Sequence, residues 1–149
     1  MDLNLKKLKA ELAGKEPEEA IKILCLAHPG QVVFTTSFGL EDQVITHIIC
    51  TNNLPVEIIT LDTGRMYPET YKTFSATLDR YGCTIKVFYP DGKEVEKLLS
   101  AKGPFSFYES VENRKECCRI RKTEPLDRAL QDVNVWISGI RASQSDNRS

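Results

Sequence analysis

What the sequence lacks removes several classes of protein. No apolar run approaches the roughly 20 residues needed to span a bilayer. The N-terminus, Met1-Asp-Leu-Asn-Leu-Lys-Lys7, has no apolar stretch of the kind a signal peptide carries. A cytoplasmic location without a membrane partner is therefore expected. The net charge is −1, so no global field points to nucleic acid. Five cysteines are too few and too odd in number for a disulfide framework in a chain with no secretion signal. No Cys-x-x-Cys occurs. No internal repeat, low-complexity tract or linker interrupts the chain, so one domain covering residues 1–149 is expected. The lysine and spacing of a Walker A loop are absent, which sets aside kinases and GTPases of that type.

What is there alternates. Gln31–Thr36, Val56–Leu61, Thr84–Tyr89 and Val133–Ser138 are rich in β-branched and aromatic residues and read as strands. Helical spacing runs between them. Leu5, Leu8 and Leu12 mark one helix, closed by Gly14. Pro17 starts another, with Ile21, Leu24, Cys25 and His28 on one face and His28 near its C-terminus. Val44, Ile45, Ile48 and Ile49 predict a buried helix face after the first strand. Tyr67, Tyr71, Phe74, Leu78 and Tyr81 predict a core-facing aromatic stripe on a helix ended by Gly82. Asp91 and Glu94 open a further helix. Gly103–Tyr108 reads as a surface loop or lid. Arg114–Lys122 begins a last helix, whose first turn Pro125 keeps from being regular. This order predicts an α/β fold of three layers, α/β/α, around a mainly parallel twisted sheet.

Three polar loops follow predicted strands: Ser37–Asp42, Asp62–Arg65 and Gly139–Arg141. Loops after the carboxyl ends of parallel strands lie along one rim, where they can meet around a ligand. The first leads directly into a helix, whose N-terminus favours an anion. It is equally the form of an ordinary strand-to-helix connection. Arg65 and Arg141 offer planar donors for phosphate or sulfate oxygens, or are solvated surface charges. Glu41 and Asp42 suit the helix dipole and would repel a phosphate, so backbone N–H groups and nearby cations must do the binding.

Cys117-Cys118 is the sharper signal. Adjacent cysteines pair with each other only under strain. Here they lie in Arg114-Lys-Glu-Cys-Cys-Arg-Ile-Arg-Lys122, a run with five basic residues and one acid. Cationic settings favour thiolate, and thiolates bind soft metals and iron–sulfur clusters, usually four at a time. The pair reads as half of a four-thiolate site, or as two structural cysteines beside a solvated basic face.

Lys115-Glu-Cys-Cys-Arg-Ile-Arg-Lys122 resembles the cluster-binding segment of the assimilatory sulfonucleotide reductases, and most closely that of the adenylyl-sulfate reductase branch. The related phosphoadenylyl-sulfate reductases generally lack the pair. Leu61-Asp-Thr-Gly-Arg65 with Pro68-Glu-Thr-Tyr71 resembles the second nucleotide loop of the family. Trp136-Ile-Ser-Gly-Ile-Arg141 with Gln144-Ser145 resembles its arginine-bearing loop. The likeness covers nearly the whole chain in the right order. One departure is Ser37-Phe-Gly-Leu40, where many relatives have Phe-Ser-Gly-Ala.

The resemblance implies an adenine-nucleotide α-hydrolase-like fold and a sulfonucleotide-binding domain. It implies that adenylyl sulfate, or phosphoadenylyl sulfate, is reduced to sulfite, with thioredoxin or glutaredoxin as donor. Substrate binding is carried over to Thr36, Ser37, Phe38, Gly39, Glu41 and Asp42, which would hold the phosphosulfate. It extends to Leu61 and Gly139 at the adenosine, and to Asp62, Thr63, Gly64, Arg65 and Arg141. Lys122 and Arg121 become electrostatic helpers. Cys117 and Cys118 become two ligands of a [4Fe–4S] cluster in the full-length protein. In the family a cysteine thiolate attacks the sulfate sulfur and AMP leaves. That cysteine, and the Cys-x-x-Cys completing the cluster, belong to a C-terminal segment downstream of Ser149. The expectation is therefore an N-terminal fragment without the catalytic nucleophile and inactive alone. A homo-oligomer is left open. An ATP pyrophosphatase of the same fold would carry Ser-Gly-Gly-x-Asp-Ser, which is absent. A non-catalytic nucleotide-binding module is the remaining alternative.

Overall fold

The structure, a computed structural model, describes residues 3–140. Helices and strands alternate as the sequence pattern predicts. Helices α1 (Leu3–Leu12) and α2 (Pro17–Ala27) precede strand β1 (Val32–Thr35). Then come α3 (Leu40–Thr51), β2 (Glu57–Leu61), α4 (Pro68–Tyr81), β3 (Ile85–Phe88) and α5 (Gly92–Lys102). A 3₁₀ turn at Ser106–Tyr108 leads to α6 (Val111–Cys118), a π-helical turn (Arg119–Thr123), α7 (Glu124–Ala129) and β4 (Val135–Ile137). Among the described residues no helix is long and apolar enough to cross a membrane.

The strands form one sheet in the order β3-β2-β1-β4. β1 and β4 are parallel, with Val32 opposite Val135 and Phe34 opposite Ile137. The chain winds outward from β1 through β2 to β3, then returns to the other side of β1. The strand order therefore reverses between β1 and β4, which is where open α/β sheets form their ligand crevice. Val32, Val33 and Phe34 are all buried. Successive strand residues point to opposite faces, so both faces of the sheet are covered at β1.

By its internal contacts the chain divides into two compact units, Met1–Ile58 with Asp132–Ser149, and Ile59–Gln131. In the first, Ile21 and Cys25 of α2, the β1 residues, Ile49 and Val56 form the core. Burial pushes the Cys25 thiol pKa above its ordinary value, as befits a small core residue. His28 ends α2, its N–H donating to Leu24 O. In the second unit the core holds Ile59, Ile85, Leu98, Ile120 and Ala129.

Two helices present a different face from the one hydrophobic spacing predicts. On α3 the buried residues are Asp42, Thr46 and Ile49, whereas Val44 is 58% exposed. The first turn is anchored through Asp42, and Val44 lies about 200° around the helix from it. On α4 Tyr71 and Leu78 are exposed and Thr77 is the buried residue. Thr77 can be buried because its hydroxyl donates to Thr73 O at 2.7 Å.

Candidate functional site

In the first unit the expected substrate-binding residues gather at the end of β1 beside the end of β4. Beyond β1 the chain passes through Thr36 and Ser37 to Phe38, whose φ of 65° is unusual for a bulky residue. Gly39 then caps α3. Local bonds hold this bend. Asp42 Oδ2 accepts from Ser37 N–H at 2.8 Å and from Ser37 Oγ at 2.9 Å. Thr36 Oγ1 accepts from Phe38 N–H at 3.0 Å. The carboxylate of Asp42, 8% exposed, is therefore a fastener for the loop, and it engages the Ser37 donors.

Gly139 follows β4 and lies against the same carboxylate. A Cβ at Gly139 would stand 2.2 Å from Asp42 Oδ1 and 3.3 Å from the Asp42 backbone nitrogen. Only glycine lets the two chain segments approach so closely. Trp136, half exposed on β4, donates from Nε1 to Thr35 Oγ1 at 2.8 Å. Arg141, an expected substrate-binding residue, lies outside the described residues.

The second unit holds a cavity of about 260 Å³. Four of its lining residues are cations: Arg65, Arg114, Arg121 and Lys122. Cys117 and Cys118 add two thiols, Thr63 and Phe107 also line it, and among the described residues no carboxylate does. Arg114, Cys117, Cys118, Arg121 and Lys122 stand three, four, seven and eight residues along one helical run, so one face carries them all. The one acid of the run, Glu116, is turned away and pairs with Lys102 Nζ at 3.0 Å.

A helical irregularity sets this face. Pro125 is buried and has no N–H to offer Arg121 O, and its ring crowds that carbonyl. The helix answers with a π turn, in which Glu124 N–H bonds Arg119 O five residues back. Turns of this kind are frequent at functional sites. Arg121 sits in it, 7% exposed. Its Nη1 donates to Thr63 O at 2.6 Å, while its Nε is buried without a hydrogen-bond partner. Among the described residues no carboxylate pairs with Arg121, Arg114 or Lys122.

Leu61 is half-buried at the end of β2, and Asp62 to Arg65 form a turn held by their own side chains. Asp62 Oδ1 accepts from Gly64 N–H at 2.8 Å, and Thr63 Oγ1 from Arg65 N–H at 3.2 Å. Arg65 donates to Pro104 O and lies over the rings of Phe105 and Phe107 at 5.3 and 5.1 Å. It ties the Gly103–Tyr108 segment to the cavity wall.

Tyr71 donates its phenol to Asp62 Oδ2 at 2.9 Å. That bond, then burial and the charge of Asp62, hold the phenol pKa above its ordinary value. A raised folded-state pKa contributes stability that is complete below the unfolded phenol value. It is lost as pH rises through the folded one. In a phenolate absorbance titration one of the five tyrosines should therefore ionise late. Tyr71→Phe should remove that late component, and five tyrosines titrating together would contradict the bond.

Arg114 and Phe107 were not among the expected site residues. The three-and-four spacing from Arg114 to the cysteines was the signal for the first. Nothing local marks the second. Cys117 is half-buried and Cys118 exposed. Both thiols line the cavity. Among the described residues no group of three or more His, Cys, Asp or Glu stands together to hold a metal ion.

Residues 31–149 match the phosphoadenosine phosphosulfate reductase domain. The chain is 47% identical over 120 residues to an adenosine 5′-phosphosulfate reductase of Sinorhizobium fredii, covering 80% of this chain and 48% of that protein. It is 41% identical over 143 residues to the protein of that name from Burkholderia cepacia, covering 95% of this chain and 57% of the other. The chain thus spans about half the length of the curated relatives it matches. A crystal structure of phosphoadenylyl-sulfate reductase from Candida auris, a phosphate complex, superimposes with a TM-score of 0.78 at 28% identity. The match covers 97% of this chain and 70% of that one.

Proposed function

Since the chain belongs to the phosphoadenosine phosphosulfate reductase domain family, we propose that it supplies the sulfonucleotide-binding part of an adenosine 5′-phosphosulfate reductase. The reaction yields sulfite and AMP, with thioredoxin or glutaredoxin as the dithiol donor. One observation carries this: a cavity lined by four cations and two thiols, with no carboxylate on its wall among the described residues. Guanidinium and ammonium groups, two of them held in place at Arg65 and Arg121, suit a multiply charged oxyanion. In the reaction they would neutralise the sulfate end of the phosphosulfate, so that an anionic nucleophile can approach its sulfur. Thr36–Asp42, Leu61–Thr63, Arg65, Gly139 and Arg141 are assigned to substrate on the family resemblance. Cys117 and Cys118 would hold two positions of a [4Fe–4S] cluster. When bound, such a cluster supplies a charged, polarisable centre beside the anion. The cysteine pair also favours adenosine 5′-phosphosulfate over its 3′-phosphorylated form.

Calorimetric titration of the chain with adenosine 5′-phosphosulfate, its 3′-phosphorylated form, AMP and ATP tests the assignment. Adenosine 5′-phosphosulfate should bind at least about tenfold more tightly than AMP. Lys122→Gln should remove about tenfold from the sulfated ligand and little from AMP, the scale of one hydrogen bond to a charged group. Equal affinity for AMP and the sulfated nucleotide would overturn the proposal. Preference for ATP with release of pyrophosphate would favour the pyrophosphatase alternative.

A further inference from the structure

Gly64 does not line the cavity, although Thr63 and Arg65 on either side of it do. It has a φ of +80°, and a Cβ placed on it would meet Arg121 Nη1 and Tyr89 Oη, each at 3.0 Å. The same Nη1 donates to Thr63 O. Arg121 therefore lies across the Thr63–Gly64 backbone, and a side chain at residue 64 would push its guanidinium aside by a few tenths of an ångström. Among the described residues no carboxylate pairs with it, and a buried guanidinium in that state is costly unless a ligand supplies the counter-charge. Its buried Nε is likewise without a partner. One charged-group hydrogen bond is made to a neutral carbonyl, which orients the fork and leaves its charge uncompensated.

We propose that Gly64 is a positioning residue. Its missing side chain lets the Thr63 carbonyl hold the Arg121 guanidinium in the orientation that receives a tetrahedral oxyanion in the cavity. This rests on the reading of the cavity as the anion site. It predicts that residue 64 sets anion affinity without touching the anion. Left-handed strain and crowding of Arg121 are separable there. Alanine at 64 suffers both, whereas asparagine tolerates the backbone conformation and keeps the crowding Cβ.

The test is equilibrium binding of inorganic sulfate to the 149-residue chain, with the thermal midpoint and AMP affinity measured in parallel. Gly64→Asn and Gly64→Ala should each weaken sulfate binding about tenfold, as should Arg121→Lys, which keeps the charge and loses the fork. The Gly64→Asn midpoint and AMP affinity should stay near wild type. Gly64→Asn combined with Tyr89→Phe, which frees space beside the guanidinium, should recover most of the loss. Lys115→Gln, an exposed charge of the same run outside the cavity, should have little effect. Sulfate affinity unchanged in Gly64→Asn overturns the positioning role and leaves the anion site standing. Loss of AMP affinity in step with sulfate makes residue 64 merely structural and also overturns it. A wild-type chain that takes no sulfate overturns both.

Discussion

Gly139→Ala should destabilise the protein by about 3 kcal/mol, the sum of an overpacked contact and a disturbed pair of hydrogen bonds. The cause is space and not backbone conformation, since Gly139 is absent from the positive-φ glycines. The added methyl would stand 2.2 Å from Asp42 Oδ1. Asp42 cannot simply swing aside, because its other oxygen already accepts from Ser37 N–H and Oγ. The backbone nitrogen of Asp42, 3.3 Å away, limits relief in the other direction. For a chain of this size the thermal midpoint should fall by about 9 °C. A midpoint within about 2 °C of wild type would mean that the end of β4 does not lie against the α3 N-terminus as described.

The second large effect is expected from Asp42→Ala, at about 2–3 kcal/mol. It removes the one carboxylate on which the N–H and hydroxyl of the exposed Ser37 now both end. It also releases a loop that must hold Phe38 at a φ of 65°. The two substitutions touch each other, so their effects should not add. With Asp42 already shortened, the alanine at residue 139 loses its nearest clash. The double variant should be more stable than the sum predicts, by about 1–2 kcal/mol. Circular dichroism melts of the four proteins measure this coupling. Strict additivity would show that the carboxylate and Gly139 act independently.

Much of the fold was legible because its signals are local. β-branched runs marked all four strands, Gly82 capped α4 in a left-handed conformation, and Pro17 and Asp91 opened helices where expected. The cysteine pair and its cations were legible because the lettering itself puts them on one helix face. What was not legible depends on contacts distant in sequence or on polar anchors. Val44 was placed in the core because hydrophobic spacing carries no record of Asp42 fixing the helix rotation. Tyr71 was placed there because nothing in the stripe shows that Asp62 draws its hydroxyl outward. The aspartate at 42 was expected near the helix dipole, and its hold on Ser37 emerges only when the turn closes. Pro125 announced an irregular turn, but not that a π turn would set Arg121 among the cavity residues.

The cavity reading is tested most directly at the sulfurs that line it. Alkylation of Cys117 and Cys118, followed residue by residue by mass spectrometry, should slow several-fold when adenosine 5′-phosphosulfate is added. Buried Cys25, in the other unit, should show no change. If the nucleotide binds and both cavity thiols react as fast as before, the anion is held elsewhere and the account is wrong.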